Sequence, residues 1–365
     1  MTKCVEQAEP ASTAPDDTIL QREYGGAMVR RSQGTTKVMI VGDGAVGSAY
    51  AHTLVTLDIA DEIGIIDLNR AKAHADALDL RHALPYSPVA AKKIYVADYA
   101  DCADADVVAI TANAPMAVLE GEFNRLHLLG GNVSMVTSIT RSIMESGFSG
   151  IILVVSNPVD VLTRVVAEAS GLPRNRVIGT GTIVETSRMR TIIADYINVH
   201  PGNVHGYVLG EHGDSAFTAW SNVAIGSLPI REWMGHNAQR YGFAPFDELD
   251  RRVREIGFDI YRGKGSTSFG VAGGLARITT AILRDENVIL PVSAHVVGAY
   301  GIEDVYIGVP AVIGRDGVRE LVNLYLDDDE LAAYHRSAAI LRENFESVRD
   351  AITAPRKGGP LPPTR

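Results

Sequence analysis

The sequence predicts an α/β protein: an N-terminal doubly wound parallel sheet followed by a C-terminal α+β domain. Three observations point there. Short apolar, β-branched runs alternate with helical patterns from about 37 to 178, which is how parallel strands joined by right-handed helical crossovers read. A glycine-rich turn, "GDGAVG", stands between the first such run and the first helical stretch. After about residue 180 the alternation stops, and "NVILPVSAHVVGAYG" (287–301) and "VYIGVPAVIG" (305–314) alternate like antiparallel strands.

Taken in order, "KVMIVG" (37–42) is the first strand and "GDGAVGSAYAHTLVTL" (42–57) carries it into a helix. "EIGIIDL" (62–68) is the second strand, followed by an alanine-rich helix near 70–84. "KIYVADY" (93–99), "ADVVAI" (105–110) and "GIILVVSNP" (150–158) are further strands, the last two flanking a helix near 126–146. A helix near 182–196 precedes "VHGYVLGEHGDSAF" (204–217), a strand entering a loop; more helices are expected near 247–262, 267–284 and 328–352. Residues 1–35 read as a mobile arm and 353–365 as a loose Pro/Gly-rich tail. Between them, 36–179 forms the first domain and 180–352 the second, with a helix at about 268–286 packing back on the first.

Composition narrows the partners. A formal charge of −10 disfavours a nucleic-acid backbone or an anionic membrane surface. The two cysteines, Cys4 and Cys102, make neither a disulfide framework nor a four-ligand metal site, so no metal is expected. The longest apolar runs, such as "GIILVVS" (150–156), are far shorter than a bilayer span. The N-terminal stretch has no apolar signal core, and Glu6, Glu9, Asp16 and Asp17 argue against a transit peptide; a cytoplasmic protein is expected.

Gly42, Gly44 and Gly47 spell G-x-G-x-x-G between a strand and a helix. Glycines suit that place because the turn is tight and the backbone must approach a pyrophosphate held by N–H groups of the helix N-terminus. Asp67 closes the next strand, twenty residues after Gly47; an acid there accepts from adenosine ribose hydroxyls and repels a 2′-phosphate. A Rossmann-type NAD site follows, with Gly42, Gly44, Val46, Gly47, Asp67 and Asn157 as its expected residues. The plainer alternative is a structural turn with a solvated Asp67.

Four further segments carry chemistry. Asn157, in "SNPVD" (156–160) at the carboxyl end of a strand, serves a nicotinamide or a carbonyl, or simply makes an Asn-Pro turn. "GEHGD" (210–214) puts His212 in a glycine-flanked loop, a setting more often structural than catalytic. "ETSR" (185–188) places Glu185 and Arg188 on one helix face, most simply as an exposed ion pair. "TANAPMAVLEGEFNRLHLL" (111–129) is an apolar loop with one arginine, Arg125. Together, a carboxylate, a guanidinium and a histidine suit ketone reduction: the guanidinium grips a substrate carboxylate and the acid fixes the imidazole.

The segments "IVGDGAVGSAYAHTL", "IGIIDLN", "SNPVDVLT", "VIGTGTIVETSRMR", "NVHGYVLGEHGDS", "KGSTSFG" and "YIGVPAVIGRDGV" resemble the L-lactate/malate dehydrogenases, in family order from about 37 to 350. The resemblance implies an NAD-dependent L-2-hydroxyacid dehydrogenase that moves a hydride between nicotinamide C4 and substrate C2. It implies that His212 is the proton donor and acceptor, Arg188 the substrate-carboxylate clamp and Arg125 the loop arginine that polarises the carbonyl. Asn157 becomes a hydrogen-bonding partner and Thr267 a pocket threonine. Glu185 stands where the family usually has aspartate, which puts the geometry of its contact with His212 in question. Arg190 and His205 match the pair that binds fructose 1,6-bisphosphate in allosteric bacterial members. A homotetramer is likewise implied.

The substrate reading rests on the loop. Lactate enzymes of the family run roughly "GAxQKPGETR" there, whereas malate enzymes carry an arginine for a second carboxylate. Here Met116 or Val118 aligns, and no arginine occurs between Asn113 and Asn124, so an oxaloacetate side carboxylate would be buried unpaired. The longer apolar loop resembles L-2-hydroxyisocaproate dehydrogenases, while "VGSAYAHTL" with Arg190 and His205 is more lactate-like. The expectation is pyruvate/lactate chemistry or a bulkier aliphatic homologue. NAD-dependent glycosidases and a non-enzymatic dehydrogenase-like protein are the rivals from other classes.

Overall fold

The computed structural model describes residues 34–86, 92–114, 125–242 and 244–353, without the side chains of 125–128, 238, 239 and 353. The chain divides into two units, Met1–Gly34 and Thr35–Arg365, and everything below belongs to the second.

Its first half alternates strands and helices: β1 (Lys37–Val41), α1 (Ala45–Thr56), β2 (Glu62–Ile66), α2 (Arg70–Ala83), β3 (Lys93–Val96), β4 (Val107–Ile110), α3 (Arg125–Glu145), β5 (Ile151–Val154), α4 (Val159–Ser170) and β6 (Val177–Gly179). These strands pair in parallel in the order β3-β2-β1-β4-β5-β6. Val38 of β1 stands level with Ile63 of β2 on one side and Val107 of β4 on the other. Helices cover both faces, which is why β1, β4 and β5 are buried along their whole length and read as apolar runs. The order reverses at β1/β4, and the crevice beyond the carboxyl ends of strands at such a reversal is where open α/β sheets hold ligands.

The second half runs α5 (Ile183–Ile197), β7 (Val204–His205), β8 (Val208–Leu209), β9 (Phe217–Thr218), β10 (Ala224–Ile225), β11 (Leu228–Pro229), α6 (Ile230–Tyr241), α7 (Phe246–Lys264), α8 (Phe269–Leu283), β12 (Val288–Val296), β13 (Val305–Gly314), β14 (Gly317–Leu321), α9 (Asp328–Glu346) and α10 (Arg349–Thr353). The α/β class read from the sequence holds, with one difference of connectivity. The antiparallel β12–β13–β14 group continues the parallel sheet, joining β6 through Ser293 opposite Gly179, so the described sheet has nine strands. Every residue of β13 is buried, because this strand lies inside the sheet between β12 and β14. The junction requires glycine: a Cβ on Gly179 would lie 2.3 Å from Thr163 Oγ1 and 2.8 Å from Ser293 Cβ.

α8 lies against α1, where the hydroxyls of Tyr50 and Thr279 meet at 2.5 Å in a fully buried contact. α5 packs on both α7 and α8. A smaller core built from Met189, Ile193, Val208, Trp220, Leu249 and Val253 seats α5, α7 and the β8 region on one another. Three features go beyond the sequence reading. α6 and the two-residue strands β9–β11 have too short or too polar a pattern to announce themselves, the strand expected to enter the loop over 204–217 is two short strands, β7 and β8, and the helix expected over 328–352 breaks at Ser347–Val348 between α9 and α10.

Candidate active site

The glycine turn leaves β1 at its carboxyl end. Gly42 has φ +107°, and a Cβ there would lie 2.5 Å from the Ala112 nitrogen. A Cβ on Gly47 would come within 1.9 Å of the Gly42 carbonyl oxygen, so this glycine lets α1 close on the strand. Gly44 differs: it is exposed and a Cβ there meets no atom within 4 Å. That open space at the N-terminus of α1, beside half-buried Val46, is a cradle into which a pyrophosphate fits. Asp67 grips the turn from β2's end, its Oδ2 accepting the Asp43 N–H at 2.6 Å and its Oδ1 the Asn69 N–H at 2.7 Å. The acid is half-buried, so it is neither a merely solvated side chain nor free of a structural task. Sequence reasoning passed over Asp43, whose carboxylate is fully buried 3.1 Å from Lys72 Nζ. Burial pushes its pKa up to about 6 against the pull of Lys72.

Beyond β4 and β5 the chain is tied by Asn132 of α3. Its Oδ1 accepts the Ala114 N–H at 2.8 Å and its Nδ2 donates to the Asn157 carbonyl at 2.7 Å. This joins the start of the loop after β4 to the turn after β5. Asn157 is exposed, and the Asn157–Pro158 peptide is cis. Met116 and Val118 lie outside the described residues, as does the Arg125 side chain; the backbone of Arg125 opens α3.

The polar constellation assembles on α5 and the loop after β8. Glu185, in the first turn of α5, has a side chain only 6% exposed; its Oε1 lies 3.0 Å from His212 Nδ1 and 3.3 Å from Arg188 Nη1. The expected exposed ion pair on α5 is therefore a three-membered cluster with a buried carboxylate at its centre. Burial pushes Glu185 upward, but the His212 and Arg188 charges outweigh it and hold the carboxyl below its usual range. Burial likewise pulls His212 down, and Glu185 more than reverses this, raising the imidazole to about 9. His212 keeps 26% of its side-chain surface exposed, so the ring looks outward from the carboxylate behind it. Its loop is clamped from beneath. Gly210 and Gly308 exchange N–H···O bonds of 3.1 and 2.9 Å, and the Glu211 N–H donates to Ser337 Oγ of α9 at 2.6 Å.

Arg188 reaches Glu185 along a path left clear by Gly257 of α7, where a Cβ would lie 3.0 Å from Arg188 Nη2. Thr267 is half-buried in the turn from α7 to α8, the two helices packed on α5. Arg190 turns inward: its Nη2 donates to the Gly206 carbonyl at 3.1 Å and its guanidinium lies 5.7 Å from the Tyr207 ring centre. His205 next to Gly206 is exposed. Among the described residues no helix is long and apolar enough to cross a membrane, and no cluster of three metal-ligating side chains occurs.

What the arrangement can do is hold a dinucleotide over the sheet, grip a carboxylate and move a proton. Known proteins resemble this chain over most of its length. Residues 36–179 match the NAD binding domain of the lactate/malate dehydrogenases, and residues 182–352 match their alpha/beta C-terminal domain. L-lactate dehydrogenase 1 of Listeria monocytogenes is 48% identical over 316 residues, which is 87% of this chain and 98% of that protein. L-lactate dehydrogenase of Bacillus caldolyticus is 47% identical over 318 residues, 86% of this chain and 97% of that protein. Among solved structures, a lactate dehydrogenase enzyme from a Medee basin deep-sea metagenome library superposes with a TM-score of 0.82 at 41% identity, covering 86% of this chain and 99% of that one. The ligands-bound minor L-lactate dehydrogenase of Enterococcus mundtii gives a TM-score of 0.81 at 37% identity over 86% and 99% of the two chains. The chain belongs to the lactate/malate dehydrogenase family.

Proposed function

We propose that this protein is an NAD-dependent L-lactate dehydrogenase that interconverts an (S)-2-hydroxy acid and its 2-oxo acid, either lactate/pyruvate or a bulkier aliphatic pair. The observation that carries the reading is the cluster in which Glu185 Oε1 lies 3.0 Å from His212 Nδ1 and 3.3 Å from Arg188 Nη1. A proton-transfer group and a carboxylate clamp are thereby fixed on one buried acid.

Bound NAD supplies the hydride acceptor and, reduced, the donor. Gly42, Gly44, Val46 and Gly47 hold its pyrophosphate at the N-terminus of α1, and Asp67 takes the adenosine ribose. Arg188 binds the substrate carboxylate and so presents one face of C2. Protonated His212 gives its proton from Nε2 to the ketone oxygen during reduction and removes it from the hydroxyl during oxidation. The Glu185 charge beside Nδ1 favours the protonated imidazolium and so readies it as the proton donor. Arg125, whose backbone opens α3, stabilises the negative charge that grows on the oxygen, with Asn157 as a hydrogen-bonding partner. The choice of substrate side chain falls to Thr267 and to Met116 and Val118 of the loop sequence. The chain works as two domains, 36–179 and 180–352, in a cytoplasmic homotetramer.

A specific observation supports an effector. Arg190 is a half-buried guanidinium whose Nε makes no hydrogen bond and which has no carboxylate within ion-pair distance among the described residues. Its guanidinium is turned toward the Gly206 carbonyl and would have to rotate outward to join exposed His205 at a fructose 1,6-bisphosphate phosphate.

A panel of 2-oxo acids with NADH, each with and without the bisphosphate, tests these readings together. Pyruvate or 2-oxoisocaproate is expected to lead, with activity abolished in His212→Asn. Oxaloacetate ahead of both overturns the substrate reading, and an unchanged saturation curve with the bisphosphate removes the effector.

A further inference from the structure

His212 is held from two sides, and only one of them is the imidazole. Its backbone N–H donates to Asp160 Oδ2 at 2.7 Å. Asp160 sits in the first turn of α4, three residues after Asn157, and is 2% exposed. The fully buried Ser293 Oγ of β12 lies against the same carboxylate and favours its anion, opposing the upward push of burial.

We infer that Asp160 is a positioning residue for proton transfer by His212: it anchors the His212 main chain to the start of α4 and brings a second carboxylate next to the histidine. The inference rests on the role given to His212 above. Asp160 touches no reacting atom, and its effect passes through the histidine.

Three points support this over simple packing. A backbone N–H needs only a neutral acceptor, and a buried charge is costly where an amide would serve. The charge is nonetheless placed where the N–H groups of the first turn of α4 favour an anion. It is also placed so that one short segment, Asn157 to Asp160, spaces Asn157 against His212. The charged and titratable groups around the pair come from four elements. Glu185 and Arg188 face His212 from α5, Asp160 faces it from α4, Glu211 flanks it in its own loop, and Tyr334 of α9 faces Asp160. Of these, Asp160 and Glu185 favour the imidazolium while Arg188 opposes it. Burial holds the Asp160 carboxyl up at about 6, so the anion is the main form at neutral pH.

The test uses the full-length protein. Asp160→Asn keeps the shape and an oxygen for the His212 N–H while removing the charge; Asp160→Ala removes both. The His212 pKa is read directly by titrating its imidazole NMR resonance, assigned by its loss in His212→Asn. It is expected to fall by about one unit in Asp160→Asn, as for removal of a neighbouring opposite charge. The high-pH limb of kcat/KM for pyruvate reduction is expected to move with it. In Asp160→Ala, kcat is expected to drop by about 10²-fold, with the KM for pyruvate changed far less. An unmoved titration and pH limb in Asp160→Asn overturn the inference, and so does an Asp160→Ala enzyme with wild-type kcat. If Asp160→Ala does not fold, the titration in Asp160→Asn decides alone. His212→Asn separates the two readings. Loss of activity there with an unmoved Asp160→Asn titration sinks the positioning role alone, whereas retained activity sinks both.

Discussion

Nδ1 of His212 stands 3.0 Å from Oε1 of Glu185, yet the contact is not aligned as a hydrogen bond. The longer acid reaches the imidazole but comes at it off-line, and the same oxygen also faces Arg188 Nη1 at 3.3 Å. Charge is therefore the main link between this pair. Glu185→Gln keeps the length and removes the charge, and it is expected to lower kcat/KM for 2-oxo acid reduction by about 10²-fold or more. Glu185→Asp keeps the charge on a shorter arm and is expected to stay within about tenfold of wild type, since only the geometry changes. Steady-state kinetics of both variants check this. A Gln variant with full activity would show that the carboxylate does not support the imidazole.

The same pair sets a pH window. His212 is raised from 6.5 to about 9, mainly by Glu185 against the opposing effect of burial. A raised histidine lends stability that is complete below 6.5 and is lost as pH climbs through about 9. Glu185 is lowered from 4.5, so its contribution is present above 4.5 and lost as pH falls through its folded pKa. Both are the same ion pair and count once. In the free enzyme, kcat/KM for 2-oxo acid reduction should therefore stay level through neutral pH and decline near 9, with the oxidation limb rising there. A decline centred near 6.5 instead would mean that Glu185 exerts no net hold on the ring.

The glycines of the cofactor turn separate folding from binding. Gly44→Ala meets no atom within 4 Å and no positive φ, so its melting temperature without NADH should match wild type. The added methyl enters the pyrophosphate space, and the Kd for NADH should rise by about tenfold or more, as expected for loss of close backbone approach. Gly47→Ala must push a methyl against the Gly42 carbonyl oxygen at 1.9 Å and should melt earlier with or without cofactor. Thermal melts and NADH titrations distinguish the two. Equal losses of stability in both would place the cradle elsewhere.

The fold was legible where periodicity was strong. The parallel strands read as apolar runs because β1, β4 and β5 are buried on both faces, and "GDGAVG" followed by Asp67 marked the cofactor turn. The continuity of β12 with β6 was not legible. It depends on one meeting of Ser293 and Gly179 from distant parts of the chain, which no local pattern encodes. The site divides in the same way. His212, Glu185 and Arg188 stood in recognisable motifs, whereas Asp160, Asn132 and Asp43 matter through where their oxygens and amides point. An acid in the first turn after "SNPV" was the one signal available for Asp160, and helix capping explains such an acid equally well.

Gly257 offers a test of how tightly the carboxylate clamp is set. Glycine in the middle of α7 costs about 1 kcal/mol against alanine by helix propensity, so propensity alone favours Gly257→Ala. Yet the new methyl would stand 3.0 Å from Arg188 Nη2 and 3.2 Å from Nη1. The guanidinium has to give way by a few tenths of an ångström, which disturbs its 3.3 Å contact with Glu185. Gly257→Ala should therefore keep or raise the melting temperature while raising the KM for pyruvate several-fold. The effect on kcat should be smaller, because uniform binding of the carboxylate is what weakens. NADH affinity, assigned above to the Gly42–Gly47 turn, should not move. A variant with unchanged KM would mean that Arg188 has room to spare, and that its place beside Glu185 is set by α5 alone.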